Sequence, residues 1–192
     1  MGLREAKTGQ TMHRAWSRSD LVQSAAWLKR MNAQGHDVYI RPAGEHGLVL
    51  VDDLKPQALE RMKATGFAPA ATLETSPGHY QAWVKLADQP LSDEVRRLAA
   101  QGLAEQYGGN PNSADPHRYG RLAGFTNQQP QHTRDDGRQP YVLAHDCPGQ
   151  VATAAPAYLE RIEQALEAAE RAHRQERQAQ RGRERDGPGR GR

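Results

Sequence analysis

Hydrophobic and polar residues follow two different periods along this chain, one typical of strands and one typical of helices. Several short segments are rich in alternating, β-branched or aromatic residues, which favours strands. The predicted strands are a hairpin within residues 2–16 around the turn KTGQ, and residues 37–42, 48–51, 69–75, 79–86 and 141–145. In the segment 79–86, Tyr80, Ala82, Val84 and Leu86 share one face, so this strand is predicted to cover a core.

Apolar residues recur at helical spacing in four other segments. Ser19 or Asp20 is predicted to cap the first helix, and Gly35 is predicted to end it. Pro56 suits the first turn of the second helix, where its missing N–H has no partner to lose. The helices are predicted over residues 20–34, 56–65, 92–107 and 156–180.

The order of these elements indicates the class of fold. Strands and helices alternate as ββ-α-β-β-α-β-β-α-β-α, and several neighbouring strands are joined by links of hairpin length. Such links join antiparallel strands, whereas parallel strands need long crossovers. The sequence therefore predicts an α+β fold, with a mixed, largely antiparallel sheet and helices packed against it, rather than a doubly wound parallel sheet.

The C-terminal end differs in composition from the rest of the chain. Residues 171–192 contain eight arginines and three acids, so this segment carries +5 while the whole chain carries only +3. The remaining residues are close to neutral, so basic composition does not by itself predict nucleic-acid binding by the body. The predicted organisation is one domain over residues 1–155, an amphipathic helix over 156–180 and a disordered basic tail over 181–192.

Several classes of protein are disfavoured by features that the sequence lacks. A single cysteine excludes an internal disulfide and a multi-cysteine zinc site. No apolar stretch approaches the roughly 20 residues that span a membrane, and the N-terminus has no hydrophobic signal segment, so a cytoplasmic location without membrane contact is predicted. The sequence has no phosphate-loop motif, no G-x-G-x-x-G and no closely spaced histidine pair, which disfavours ATP-driven motors and histidine-based metal nucleases.

Two adjacent acids, Asp52 and Asp53, follow directly after the apolar run of residues 48–51. Adjacent carboxylates repel each other, and a hard divalent cation such as Mg²⁺ would remove that repulsion while completing its shell with substrate phosphates. The pair could instead favour the N-terminus of the next helix through its dipole. Consecutive strand residues point to opposite faces, so both acids reach one site only if the strand ends or bulges there.

Two further segments carry candidate chemistry. In ETSPGHYQAW, Ser76 and His79 flank a turn and could face a polyphosphate, although an ordinary surface turn fits equally well. The segment ADPHRYGRLAGFTN lies in a stretch, residues 108–138, that is too long and irregular for an ordinary connection, which favours a functional loop. Its Arg118 and Arg121 could hold phosphates, and Asp115 could bind a metal; the alternative is a loop with surface ion pairs.

Four segments, taken together, resemble the RepB-type plasmid primases of the archaeo-eukaryotic primase superfamily. The segments are WLKRMNAQGHDVYIRP, HGLVLVDDL, ETSPGHYQAWVKL and SADPHRYGRLAGFTN, and the resemblance covers about residues 2–155 in colinear order. It implies a primase palm with a core related to the RNA-recognition fold. It also implies primer synthesis on a single-stranded DNA template from nucleoside triphosphates, with Mg or Mn as cofactor.

The same resemblance implies roles for individual residues and for partners. The acids expected to bind metal and to act in catalysis are Asp52, Asp53 and Asp115. The residues expected to bind nucleotide or template are Ser76, His79, Arg118 and Arg121. Because such primases occur on mobilisable IncQ-type plasmids and are often fused behind a relaxase, relaxases or plasmid replication proteins are implied partners.

The chain departs from the family pattern in a way that bears on activity. The family tract commonly reads Y-x-x-D-P-x-S-A-D, whereas this chain has YGGNPNSAD, with Asn110 in place of the first acid and Asp115 retained. An asparagine oxygen can ligate a metal but brings no charge. The family also has a segment before the residue matching Gly2 and a separate C-terminal helical domain, which implies truncation here. A catalytically weakened remnant that binds single-stranded DNA or a replication partner is therefore the alternative to an active primase.

Overall fold

The computed structural model describes residues 1–185 and confirms the α+β fold. The strands are β1 (Gly2–Glu5), β2 (Thr11–His13), β3 (His36–Ile40), β4 (Leu48–Leu54), β5 (Ala71–Ser76), β6 (His79–Lys85), β7 (Gly120–Arg121) and β8 (Leu143–Asp146). The helices are α1 (Arg18–Gln23), α2 (Ala25–Ala33), α3 (Pro56–Ala64), α4 (Asp93–Tyr107) and α5 (Ala155–Arg185). The predicted end of the tail, residues 186–192, lies outside the described residues.

The strands form two four-stranded sheets, where the sequence predicted a single sheet. The first has the order β2-β1-β3-β7 and the second the order β4-β6-β5-β8. All pairings between these strands are antiparallel, as the hairpin-length links predicted. The two sheets meet where β6 approaches β7, because the backbone N–H of Arg121 donates to the side-chain oxygen of Gln81 at 2.8 Å.

Gly120 allows this close approach between the sheets. A Cβ atom added at Gly120 would lie 2.9 Å from the indole of Trp83 on β6, which is closer than such atoms come in practice. The absence of a side chain at Gly120 thus lets one sheet pack against the other.

The N-terminal helical segment is interrupted, although the sequence predicted one continuous helix. Its N-cap is Ser17 rather than Ser19 or Asp20; Asp20 is the third helical residue and completes a capping box, accepting the Ser17 N–H at 2.9 Å. Ser24 then takes a ψ of 3°, outside helical geometry, and separates α1 from α2.

The main core lies between the second sheet and three helices. It contains the predicted inward face of β6, with Ala82 and Val84 fully buried, and one face of α4. The buried members on the helices are Ala58, Leu59 and Met62 of α3, Ala99, Ala100, Leu103, Ala104 and Tyr107 of α4, and Ala155 of α5. A smaller cluster of Leu3, Leu28, Val38 and Phe125 lies between the first sheet and α2.

The C-terminal helix α5 is anchored to the core through Tyr158. Its hydroxyl donates to the backbone carbonyl of Ala99 at 3.0 Å, and its ring lies edge-on to Phe67 with centroids 5.2 Å apart. A Cβ atom at position 102 would lie only 2.4 Å from this hydroxyl oxygen, so the packing of Tyr158 requires glycine there. The helix continues to Arg185, beyond the predicted end near residue 180. Within residues 1–185, every helix is too short or too polar to cross a membrane.

Burial of Tyr158 makes the stability of the fold depend on pH in the alkaline range. Burial raises the pKa of Tyr158 from 10.0 to about 12. A raised pKa means that its stabilising effect is complete below about pH 10 and is lost as the pH rises through about 12. We expect the free energy of unfolding to fall more steeply over this range in the wild type than in Tyr158→Phe, measured by urea denaturation. Tyr141→Phe, at a 59% exposed tyrosine, should retain the wild-type slope.

Candidate active site

A cleft of about 790 Å³ lies between the two sheets and is called the central cleft here. Its walls come from the first sheet, from the second sheet and from the irregular segment 108–138. Seven of the eight predicted site residues line it: Asp52, Asp53, His79, Asn110, Asp115, Arg118 and Arg121. The fold thus brings together residues that are far apart in the sequence.

A β-bulge in β4 turns the two adjacent acids into this cleft. Val51 pairs with Ala82 and Leu54 pairs with Tyr80, so Asp52 and Asp53 together stand opposite the single residue Gln81. Asp53 has φ 59°, the left-handed conformation, and is the only residue other than glycine with a positive φ among the described residues. The sequence required that the strand end or bulge for both acids to reach one site, and the bulge in β4 meets this condition.

The carboxylate of Asp52 is held in place before any ligand binds. Its Oδ1 accepts the Nε2–H of Gln81 at 3.0 Å and the backbone N–H of Asp53 at 2.9 Å. Its Oδ2 lies 3.6 Å from the guanidinium of Arg118, which is 44% exposed. The backbone carbonyl of Asp52 accepts the N–H of Asn110 at 3.0 Å, which ties the irregular segment to the bulge.

The carboxylate of Asp53 lies among groups that can carry positive charge. Its Oδ1 is 2.7 Å from Nδ1 of His79, and the ammonium of Lys55 lies 3.1 Å from both ring nitrogens of that histidine. The ring of His132 is 5.7 Å from the ring of His79. Burial, followed by the charge of His79, lowers the pKa of His132 from its ordinary value. The neutral form of His132 is therefore favoured beside a histidine that pairs with Asp53.

Asn110 and Asp115 line the cleft, but each side chain is engaged in its own turn. The Asn110 Oδ1 accepts the N–H of Asn112 at 3.0 Å at the start of a 3₁₀ turn, Pro111–Ser113. The Asp115 Oδ1 accepts the N–H of His117 at 2.8 Å. Across residues 1–185, no three His, Cys, Asp or Glu side chains are grouped closely enough to hold a metal ion. Asp52, Asp53 and Asp115 are thus not assembled as a three-acid site.

The structure gives Arg118 and Arg121 different environments. Arg118 is partly exposed and faces Asp52, so it is available to a ligand. Arg121 is buried, pairs with the fully buried Asp37 and lies over the ring of Tyr39 at 5.0 Å. Its guanidinium is thus engaged in the interior although its residue borders the cleft.

Ser76 is the predicted site residue that does not line the central cleft. It is 1% exposed at the end of β5, and its hydroxyl has no hydrogen-bond partner among the described residues. Its neighbour Thr75 borders the cleft instead.

Two polar residues that support the site, Gln81 and Asp37, could not be recognised from the sequence. Gln81 is 4% exposed although it lies on the strand face opposite the main core. Asp37 is completely buried and accepts hydrogen bonds from Arg121 and from the backbone N–H of Gln128 at 2.8 Å. The sequence gives only one indication of these two roles, which is that Gln81 falls on the polar face of an alternating strand. Such a position predicts an exposed side chain and not a structural role.

The bulge acids have the chemistry that a hard divalent cation requires. Mg²⁺ and Mn²⁺ prefer oxygen ligands, and proteins often bind Mg²⁺ through one or two carboxylates plus waters and substrate phosphates. Asp52 and Asp53 both face one open cleft and can supply such oxygens. The residues present therefore fit a cation that completes its shell with substrate, rather than a closed site made of protein ligands alone.

A search for similar solved structures defines the class of protein. The fold is similar to that of the catalytic domain of primase RepB′ in complex with initiator DNA, with a TM-score of 0.82 and 51% identity. The match covers 88% of this chain and 87% of that one. The chain therefore has the fold of a primase catalytic domain. It belongs to the family of RepB DNA-primase N-terminal domains, whose model matches residues 2–169.

Two curated relatives are longer than this chain. Mobilization protein A of Escherichia coli is 53% identical over 173 residues, covering 89% of this chain and 24% of that protein. A DNA primase of Acidithiobacillus ferrooxidans is 33% identical over 133 residues, covering 67% of this chain and 37% of that protein. The chain thus spans about a quarter to a third of the length of these relatives.

Proposed function

We propose that this chain is a primase catalytic domain that synthesises primers on single-stranded DNA by metal-dependent transfer of nucleotides from nucleoside triphosphates. The observation that carries the proposal is the β4 bulge, which places Asp52 and Asp53 together in the central cleft. Membership of the RepB primase family and the initiator DNA bound by the similar RepB′ domain support it. The similarity to Mobilization protein A supports a partner in plasmid transfer, such as a relaxase.

Each group in the cleft then has a role that follows from its contacts. The two carboxylates would hold the cation, and Asp52 is already oriented by Gln81. Arg118 and His79 would bind the triphosphate, because both present nitrogen donors at an open face of the cleft. When bound, the cation would offset the charge that develops as the primer 3′-hydroxyl attacks the α-phosphate.

The proposal is tested by primer synthesis with the whole chain. The assay combines single-stranded DNA, labelled nucleoside triphosphates and Mg²⁺ or Mn²⁺, and resolves products by length. We expect short products whose formation stops when the divalent cation is chelated. The absence of product under every template and cation tried would contradict the proposal, and cleavage of the template in the same reaction would indicate a nuclease.

A non-catalytic role is the second candidate, because Asn110 replaces an acid and no three-acid group is assembled within residues 1–185. In that case the chain would bind single-stranded DNA or a replication partner without making primers. Binding of DNA with no product in the primer assay would identify this role.

Replacing Asn110 with aspartate is expected to raise primer synthesis about tenfold or more if this position supplies a third ligand. Position 110 borders the central cleft, and its backbone N–H already donates to the carbonyl of Asp52. The rate is measured over a range of Mg²⁺ concentrations. Asn112→Asp, two residues away and outside the cleft lining, is the matched control. An unchanged rate in Asn110→Asp would exclude this position as a missing ligand.

Gln81 is expected to act as a positioning residue for Asp52. Gln81→Met keeps the volume but removes both the donor to Asp52 and the acceptor for the Arg121 N–H. We expect a loss of about 1–3 kcal/mol in the free energy of unfolding, because buried polar groups lose their partners. We also expect kcat to fall about tenfold with a smaller change in KM. Gln164→Met, on the exposed side of α5, should change neither.

A further inference from the structure

A second cleft, of about 1100 Å³, continues from the central cleft across the N-terminal part of the molecule. The two clefts share His13, His117 and Tyr119 in their linings. The two clefts are therefore adjacent and meet at these three residues. None of the residues assigned to nucleotide chemistry above lies in the second cleft.

The second cleft carries unbalanced positive charge. Arg14, Arg18 and Arg41 line it, and none of them forms an ion pair with another described residue. Of the two acids in the lining, Asp93 is already paired with both Arg96 and His117, at 2.5 and 3.0 Å. Glu45 is the other acid. The cleft therefore offers more guanidinium groups than its acids neutralise.

Aromatic rings are interleaved with these cations. Arg41 lies over the Tyr119 ring at 4.8 Å, and the His13 ring lies 5.0 Å from Tyr119 at an angle of 30°. Trp16 borders the same cleft and is 6.0 Å from Trp27, which is 43% exposed. Exposed aromatic rings beside basic groups are the means by which proteins bind single-stranded nucleic acid, because unstacked bases stack on the rings while the cations contact the phosphates.

We propose that the second cleft binds the single-stranded template outside the central cleft, with phosphates on Arg14, Arg18 and Arg41 and bases against Tyr119 and Trp16. The inference rests on the proposed function, since it extends the path of the same DNA strand. A protein partner is less well matched, because three guanidinium groups without an acidic partner among the described residues, set around aromatic rings, suit a polyanion with stackable faces. Duplex DNA is also less well matched, because its bases are not available for stacking.

The test measures binding of a fluorescein-labelled single strand of about 16 nucleotides to the whole chain by fluorescence anisotropy, without nucleotides. The charge variant is the double substitution Arg14→Ala/Arg18→Ala, and the stacking variant is Tyr119→Leu. Arg171→Ala, at a 60% exposed position on α5 that lines neither cleft, is the charge control. Thermal melting monitors folding. Because Arg14 and Arg18 are exposed, the charge variant is expected to keep the wild-type melting temperature.

We expect the charge variant to bind at least tenfold more weakly at low salt and to reduce the slope of log K against log salt by about 1.4, or 0.7 for each lost phosphate contact. Tyr119→Leu should bind about tenfold more weakly with little change in slope, because it removes stacking and no charge. Arg171→Ala should change the affinity less than twofold. A duplex of the same sequence should bind more weakly than the single strand.

The results separate this inference from the proposed function. Wild-type affinity and salt slope in both variants, with primer synthesis by the wild type intact, would overturn the template path and leave the catalytic proposal standing. If the variants show the expected losses of binding and the wild type makes no primers, the second cleft is supported as a DNA site while catalysis is rejected. Tighter binding of the duplex than of the single strand would also overturn the inference.

Discussion

Replacing Asp52 or Asp53 with asparagine is expected to lower primer synthesis at least about 100-fold while leaving the fold intact. Both substitutions keep the shape of the side chain and remove the negative charge that a cation needs. Asparagine is well suited to position 53 because it tolerates the left-handed conformation seen there, φ 59°. Rates are measured in the primer assay, and folding is measured by urea denaturation.

Alanine at position 53 provides a sharper comparison than asparagine alone. Alanine is strained at this φ, so Asp53→Ala should unfold at lower urea concentration than Asp53→Asn, although both lack activity. Asp88→Asn is the control, since this exposed acid pairs with Lys85 away from the cleft. Primer synthesis by both asparagine variants within about threefold of wild type, a difference under about 1 kcal/mol in barrier height, would refute the site.

Replacing Arg121 with methionine is expected to reduce the free energy of unfolding by about 3–5 kcal/mol. The substitution leaves the carboxylate of Asp37 completely buried without its cation, with the Gln128 N–H and the Tyr39 hydroxyl as neighbours. Urea denaturation of the whole chain measures the loss. Any loss of primer synthesis in this variant must therefore be corrected for the unfolded fraction before Arg121 is assigned to substrate binding.

Two further variants test the cause of this instability. Arg121→Met combined with Asp37→Leu removes both charges and should recover much of the lost stability, because no buried charge remains. Arg118→Met should change stability by less than about 0.5 kcal/mol, since Arg118 is partly exposed and its partner lies 3.6 Å away. Equal stability of Arg118→Met and Arg121→Met would mean that the Asp37 carboxylate is hydrated or neutral instead of paired.

Local sequence patterns predicted the elements and the acidic pair because those features depend on neighbouring residues. Strand β6 alternates as expected, and its apolar face enters the main core. The pair Asp52 and Asp53 was recognisable at a strand end, and the resemblance to a primase family added the cleft residues of the segment 108–138. Strand geometry required that the strand either end or bulge at the two acids, but it did not predict which of the two occurs in β4.

The supporting contacts could not be predicted because they join residues that are distant in the sequence. Gln81 and Arg121 are 40 residues apart, and Asp37 and Arg121 are 84 apart. The Asn32 side chain makes four hydrogen bonds, three of which fix Thr126 across 94 residues. The division into two sheets could not be predicted either, because local periodicity does not specify which strands pair.

The left-handed conformation of Asp53 has a consequence for how this protein would change over generations. Glycine and asparagine adopt such a φ at a lower conformational cost than aspartate does. Each is one nucleotide change away from an aspartate codon. A lineage released from selection for catalysis would drift toward these residues, because proteins lose costly functional features once only folding is maintained. Under the proposed function, aspartate at position 53 should therefore mark active copies of this domain, and glycine or asparagine there should mark inactive ones.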